Sequence, residues 1–527
     1  MMIKLSKILK INKQNSGFTI VELLIVIVII VILSTLTIVA YNGVQRKAGD
    51  AEIKSDLSQV AKQLAILEAT NGNFPNDANA IEKSDGTTLQ YTYTSATKSY
   101  CLTASNQWAE YHITNTDTGP QSGVCSGHTS LIGVAPVGPA PPTISSDWSI
   151  ISTNGDTSCG LYLGTAYCWG ANDYGQYGSG SATTSNLPTA ISTSGVLAGK
   201  TIDDISVGVY NACVHTTESK IYCAGGGSRG QLGNGSIADS TVMVAPTMTG
   251  VLSGKTINKI SLGSNYMCAI ASDSKAYCWG IGSSGQIGNN TTTTNNTTPV
   301  AVTATGVLSG KTITDISSGY SNVCALDSTG KAYCWGQGGQ GQLGNGSIAN
   351  SLLPVAVTSS GTLAGKTLIK IYSGLNNACA IDTDGALYCW GQNQYGQLGN
   401  GLTANLTTPT LVPMTGLLSG KTILDVSPGN YHTCVIASDN QIYCWGHNTS
   451  GQLGNGSTTD SLSPVAVDVL GVLSGKTVQL IGHGAYRDFN CVKASDGQIY
   501  CWGINGRGEF GNNTVSASAV PMLTTHP

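Results

Sequence analysis

The chain has 527 residues, too many for one ordinary domain. Charged residues make up 10% and the formal net charge is −4, which leaves no basic stripe for nucleic acid. The 67 glycines, the frequent Ser, Thr and Asn, and 22 Tyr against 4 Phe point to a β-rich, turn-rich body.

Residues 1–16 carry Lys4, Lys7, Lys10 and Lys13 and no acid. From Phe18 to about Ala40 the chain is nearly all Ile, Val, Leu and Thr. Roughly 23 residues at ~1.5 Å each give about 34 Å of helix, enough to cross a bilayer core. The flanking lysines hold residues 1–16 on the cytoplasmic side. Glu22 is the anomaly, because an acid within hydrocarbon costs on the order of 3 kcal/mol and seeks a partner. A cut after Gly17 would free an amine at Phe18, about one helical turn away.

Gly17-Phe18-Thr19-Ile20-Val21-Glu22, with its basic leader and apolar helix, resembles the prepilin signal of type IV pilins and pseudopilins. The resemblance implies that prepilin peptidase removes residues 1–17, cutting between Gly17 and Phe18, and N-methylates Phe18. It implies that Glu22 sets filament register by meeting the N-terminal amine of a neighbouring pilin subunit. Segment 18–40 would then be a single-pass helix in the inner (cytoplasmic) membrane before assembly. Afterwards it would form the core of a cell-surface filament. A plain signal anchor would explain the apolar run but not the Gly-Phe junction with an acid at that spacing.

Residues 41–128 are expected to form a pilin-like globular part. Val44, Ala48, Ala51, Ile53, Leu57, Val60, Ala61, Leu64 and Leu67 recur near helical spacing. Helix and membrane segment would form one rod of about 53 residues, ~80 Å if straight. Gly43 and Gly49 could let it bend. Asn71-Gly72 and Pro75 stop it. Residues 86–116 alternate and predict a small antiparallel sheet, so this part is α+β. Cys101 and Cys125 are its only cysteines and are expected to pair, stapling a small fold. In pilins a disulfide often pins a C-terminal loop in this place. Residues 129–147 form a Pro-rich, semi-rigid linker.

Residues 148–527 repeat with a period of about 55, anchored on a cysteine pair and "YCWG". The pairs are Cys159 with Cys168, Cys213 with Cys223, Cys268 with Cys278, Cys324 with Cys334, Cys379 with Cys389, Cys434 with Cys444 and Cys491 with Cys501. Turn-formers between them, as in "CAIDTDGALYCWG", predict hairpins stapled across their strands. With all 16 cysteines so paired, an oxidising location outside the cytoplasm follows. A "KTITDIS"-type strand precedes each hairpin and a "PVAV"-type strand follows it. Four short strands repeated radially predict an all-β, seven-bladed propeller. The first repeat lacks a preceding "PVAV" strand, and the last ends on "SASAVPML" at 516–523. The C-terminal strand is therefore expected to complete the first blade and latch the ring. The pattern "YCWGxNxxGQLGNG" resembles the regulator of chromosome condensation repeat. Blade two departs with Ala224 in place of Trp, and blade one with Tyr177 and Ser179 in place of Leu and Asn. The founding member's nucleotide-exchange activity is not carried over, since no exchange loop is identifiable.

No catalytic set stands out, and no cofactor is implied. None of the seven histidines forms a short metal-ligand pair, although His432 and His447 share a blade. The Asp-Gly tips lack the further ligands of a calcium loop and read as turns. The glycines of "GQLGNG" lack the Lys-Ser/Thr and helix of a phosphate loop and supply positive-φ turns. Trp169, Trp279, Trp335, Trp390, Trp445 and Trp502, which follow the second cysteine in six blades, read as inter-blade core. The expected function is a minor, tip-located pilin that displays its propeller to an unknown surface protein or glycan. The alternative is a pseudopilin that primes or caps a secretion or DNA-uptake filament.

Overall fold

The computed structural model describes Leu64, residues 88–94, 99–105, 110–114, 121–122, Cys125 and residues 147–527. Gly17, Phe18, Glu22, the helix over 18–40 and nearly all of the rod and linker lie outside the described residues. Among the described residues no helix is long and apolar enough to cross a membrane. The chain divides into two compact units, Met1–Pro142 and Thr143–Pro527.

In the first unit Thr88–Thr94, Ser99–Ser105, Glu110–Thr114 and Gln121–Ser122 form one antiparallel sheet in sequential order, as the alternation predicts. Tyr100, Leu102, Ile113 and Leu64 are buried, so one sheet face carries the core. Cys101 is bonded to Cys125, whose backbone N–H donates to Thr103 Oγ1 at 3.0 Å. That bond and the disulfide hold the segment after the fourth strand close to the second.

The second unit is a ring of seven four-stranded sheets. Blade four shows the plan: Ile313–Ser318, Asn322–Asp327, Ala332–Gly336 and Ser351–Ala356, paired in that order. The middle strands of each blade are buried on both faces, which suits their Ala, Val, Ile, Cys and Trp content. Outer strands are half-exposed and carry Ser, Thr and Pro.

The C-terminal strand does not complete the first blade. Ser518–Leu523 pairs with Ile499–Gly503 of its own repeat, and Trp148–Asn154 opens a blade already finished by Ser185–Ala190. Every blade is thus one contiguous stretch of chain. The repeat boundary falls before the "KTITDIS" strand, so nothing is left over at either end. Side-chain packing and cross-seam hydrogen bonds close the ring instead. The propeller core comprises seven clusters, one at each junction between neighbouring blades. The cluster between blades seven and one joins Trp148, Ile151 and Trp169 to Phe489, Ile499 and Phe510. Across that seam Trp169 Nε1 donates to Glu509 O at 2.8 Å, and the Tyr486 N–H donates to Asn154 Oδ1 at 3.0 Å.

The indoles are the wedges of these junctions, as their spacing predicts. Trp335, Trp390, Trp445 and Trp502 each donate from Nε1 at 3.0 Å to the backbone carbonyl of the loop glutamine one blade earlier, Gln286, Gln342, Gln397 and Gln452. The same loop must pass flat beneath the ring. A Cβ on Gly399, at φ +68°, would lie 2.7 Å from Trp445, so only glycine fits there. The two sequence departures prove to be one coupled change. Ala224, where a Trp is missing, shares its cluster with Tyr177, the enlarged loop residue, and with Met243. The bulk lost at one position is restored at the other.

Each hairpin places its two cysteines directly opposite one another, and each pair is bonded. Cys159 is joined to Cys168, Cys213 to Cys223, and Cys268 to Cys278. Cys324 is joined to Cys334, Cys379 to Cys389, Cys434 to Cys444, and Cys491 to Cys501. An aspartate organises the tips of blades three to seven. Asp382 Oδ1 accepts the N–H groups of Asp384 and Ala386, and Oδ2 accepts the Tyr388 hydroxyl at 3.0 Å. The tip carboxylates therefore act as turn caps. Replacing Cys324 and Cys334 together by alanine should lower stability by about 2–3 kcal/mol, the chain-entropy value for a ten-residue loop. Urea unfolding of oxidised protein measures this; an unchanged midpoint would show that the staple is idle.

Candidate functional site

The first strands of the seven blades line an axial channel with a cavity of about 360 Å³. Its two ends differ in chemistry, because each strand starts at one end and turns back at the other.

At the start, one residue per blade sits beside the bulge of the first strand. Round the ring these are Ile150, Asp204, Lys259, Asp315, Lys370, Asp425 and Leu480. Charge alternates over five blades and is absent on either side of the seam. Lys259 is ion-paired with Asp315, and Lys370 Nζ lies 3.4 Å from Asp425. Asp425 also accepts the Tyr372 hydroxyl at 2.6 Å and faces His483 Nε2 at 3.3 Å. Burial works to raise the Asp425 carboxyl, yet His483 and Lys370 hold it well below the usual range. Asp204, whose neighbour His215 is paired with Asp203, is raised by burial. Two of the three ring carboxylates are thus paired with lysines within this mouth.

The other end is built from the loops after the first and third strands. It carries six tyrosines: Tyr210, Tyr320, Tyr431 and Tyr486 on the first set, Tyr174 and Tyr395 on the second. Tyr174 and Tyr210 meet edge-on with ring centroids 5.2 Å apart. Tyr395 packs on Tyr431 at 5.2 Å and on His447 at 4.6 Å. Tyr320 of blade four and Tyr486 of blade seven touch at 4.9 Å, although their blades are not neighbours. They meet because blade seven has seven residues, "GHGAYRD", between Ile481 and Phe489, two more than the "SPGNY" between the equivalent Val426 and His432 of blade six. Its Tyr486 reaches over the channel while Arg487 anchors it from below. The Arg487 side chain is fully buried and donates to Gly484 O, Phe489 O, Asn490 Oδ1 and Ser427 Oγ. Burial pulls its guanidinium down to about 9.

None of the cysteines contributes to either end of the channel as a thiol. Among the described residues no cysteine is free, and the second cysteines Cys168, Cys223, Cys278, Cys334, Cys389, Cys444 and Cys501 are fully buried inside the blades. They staple the scaffold and touch no ligand surface. His432 and His447 do not converge: His432 is buried against Asn490, and His447 lies among the tyrosines. Among the described residues no three His, Cys, Asp or Glu side chains form a metal-binding group. The tyrosine end was missed from the sequence. Its one local signal is tyrosine three residues before the first cysteine in blades two and six.

Seven radial four-stranded sheets about a channel define a β-propeller. The regulator of chromosome condensation (RCC1) repeat matches residues 164–214, 273–326, 329–381, 384–436 and 439–486, and a second form of it matches four overlapping stretches between 257 and 452. The prokaryotic N-terminal methylation motif matches residues 12–38. The chain is 31% identical over 320 residues to the ultraviolet-B receptor UVR8 of Arabidopsis thaliana, covering 60% of this chain and 69% of that one. It is 29% identical over 362 residues to the human E3 ubiquitin-protein ligase HERC2, across 68% of this chain but only 7% of HERC2. Human WBSCR16 superposes with a TM-score of 0.60 at 18% identity, over 69% of this chain and 94% of that structure. Yeast RCC1 (Prp20) gives 0.57 at 19%, over 73% and 86%. At such identities these structures show a shared fold. The chain belongs to the RCC1 repeat family, and it joins that propeller to a pilin-type methylation motif.

Proposed function

We propose that this protein is a minor pilin-like subunit whose propeller is displayed at the cell surface as an adhesive, non-catalytic binding head. The observation that carries the reading is the fusion itself: a methylation motif at one end and a closed, disulfide-stapled propeller at the other. Prepilin peptidase cuts between Gly17 and Phe18 and methylates Phe18. The inner membrane holds the helix 18–40 until other pilin subunits take it up, with Glu22 meeting a neighbour's amine. A head this large is hard to pack along every subunit of a filament, which favours a tip or a sparse position. The seven hairpin bridges suit an oxidising exterior.

Gold-labelled antibody against the propeller, applied to intact filaments, tests the mounting. Label confined to tips is the expected result. Uniform label along the filament overturns the minor-subunit reading. Label that stays in the membrane fraction points to a pseudopilin role instead.

A further inference from the structure

The tyrosines at the loop end of the channel differ from those at the hairpin tips. Tyr277, Tyr333, Tyr388, Tyr443 and Tyr500 all donate their hydroxyls to a tip carboxylate. None of the hydroxyls of Tyr174, Tyr210, Tyr320, Tyr395, Tyr431 and Tyr486 has a hydrogen-bond partner among the described residues. Tyr174 and Tyr486 are 42% and 38% exposed, and the other four are half-buried. Tyrosine that neither fills a core nor satisfies its own hydroxyl is the residue type that dominates binding surfaces, because it offers a rigid flat ring with a polar tip.

A second observation points to the ligand. Between Tyr431 and Tyr486, Asn430 donates from Nδ2 to Asp488 Oδ2 at 3.1 Å. That bond orients the amide and leaves Asn430 Oδ1 and Asp488 Oδ1 buried without partners. Asn430 is 8% exposed. Two buried acceptors left unpaired are costly unless a donor arrives. Both free groups are acceptors, and Asp156 adds a second carboxylate within electrostatic reach of Asp488. Such a site calls for a ligand rich in hydroxyl or amide donors that also has flat, C–H-bearing faces for the electron-rich rings.

We propose that the tyrosine-bearing loop end of the channel is a binding site for neutral glycans. Sugar rings lie against the Tyr395–Tyr431–His447 and Tyr320–Tyr486 groups, and sugar hydroxyls donate to Asn430 Oδ1 and Asp488 Oδ1. The Tyr174–Tyr210 pair extends the surface along the rim. Tyr486, carried over the channel mouth by the Arg487-anchored loop, closes the floor of the site. The assignment rests on the adhesive reading above and adds to it a face and a ligand class.

The test uses oxidised propeller, residues 143–527, which contains all seven junction clusters and seven of the eight bridges within itself. It is probed on an array of neutral oligosaccharides built from glucose, galactose and N-acetylglucosamine, and on whole cells with and without periodate oxidation of surface sugars. Tyr395→Ala with Tyr431→Ala, and Tyr320→Ala with Tyr486→Ala, should each weaken binding about tenfold or more. Phenylalanine at the same positions should keep most of it. Lys259→Ala with Asp315→Ala, at the opposite mouth, should leave it unchanged. An unaltered thermal midpoint shows that the tyrosine variants still fold. Binding lost only in the Lys259 and Asp315 variant overturns the face and spares adhesion. Cell binding that survives periodate, or cell binding with no binding to the neutral array, overturns the neutral-glycan class and spares adhesion. Failure to bind cells and array alike overturns both.

Discussion

Trp390→Ala should lower the unfolding free energy of the propeller by about 4 kcal/mol, the usual cost of emptying a buried indole. The ring of Trp390 is fully buried at the junction of blades four and five, together with Leu343, Val357 and Ile371. Its Nε1 is the side-chain donor to Gln342 O, so alanine also leaves a buried carbonyl short of a partner. Trp390→Phe separates the two effects. It keeps most of the volume and loses the N–H, and should cost about 1–2 kcal/mol. Trp279 provides the control, since its Nε1 makes no hydrogen bond and Trp279→Phe should lose less. Guanidinium unfolding of the oxidised protein measures all three. Equal losses for the two phenylalanine variants would show that the hydrogen bond is not part of the wedge.

Glu509→Gln should stabilise the protein at neutral pH and leave it nearly unchanged in mild acid. Six of the seven loops carry glutamine at this position, from Gln176 to Gln452, and only the loop of blade seven has an acid. Glu509 is 1% exposed and its Oε2 accepts the Arg507 N–H at 2.8 Å. Burial pushes its carboxyl up to about 7, and Asp156 across the seam adds like-charge repulsion. Burial raises Asp156 as well. The folded value of Glu509 lies above the unfolded one, so its contribution is complete below about pH 4.5 and is lost as pH rises through about 7. The loss corresponds to about 3 kcal/mol above neutrality. Thermal midpoints of wild type and Glu509→Gln should converge near pH 4 and separate toward pH 8. A constant difference across that range would show that Glu509 does not titrate in the folded seam.

The repeating part of the architecture was legible because its signals are local. A cysteine, a tip and a second cysteine within one hairpin define register, and the Trp after the second cysteine in six of the seven blades marks the wedge. The strand count was right and the assignment of the last strand was wrong, for one reason. Counting strands requires only spacing, whereas assigning "SASAVPML" to a blade depends on where the repeat begins. Trp148–Asn154, a first strand without the "KTI" signature, concealed that boundary. The tyrosine end was illegible for a different reason. Tyr320 and Tyr486 are separated by three blades in sequence, and only the two-residue extension of the blade-seven loop brings them together. Ala224 and Tyr177 were each visible as departures, but their shared cluster depends on one loop packing beneath the next blade's third strand.

Each bridge within the propeller joins residues nine or ten apart in the chain. Loops of that length close in roughly tens of nanoseconds, far faster than a thiol is oxidised. Each hairpin cysteine therefore meets the partner in its own hairpin before a distant one can compete. The hairpin cysteines then need little isomerase help, and each hairpin can be locked as it forms. The seam between blades seven and one has no covalent tie, so the circle can close last, after all the staples are set.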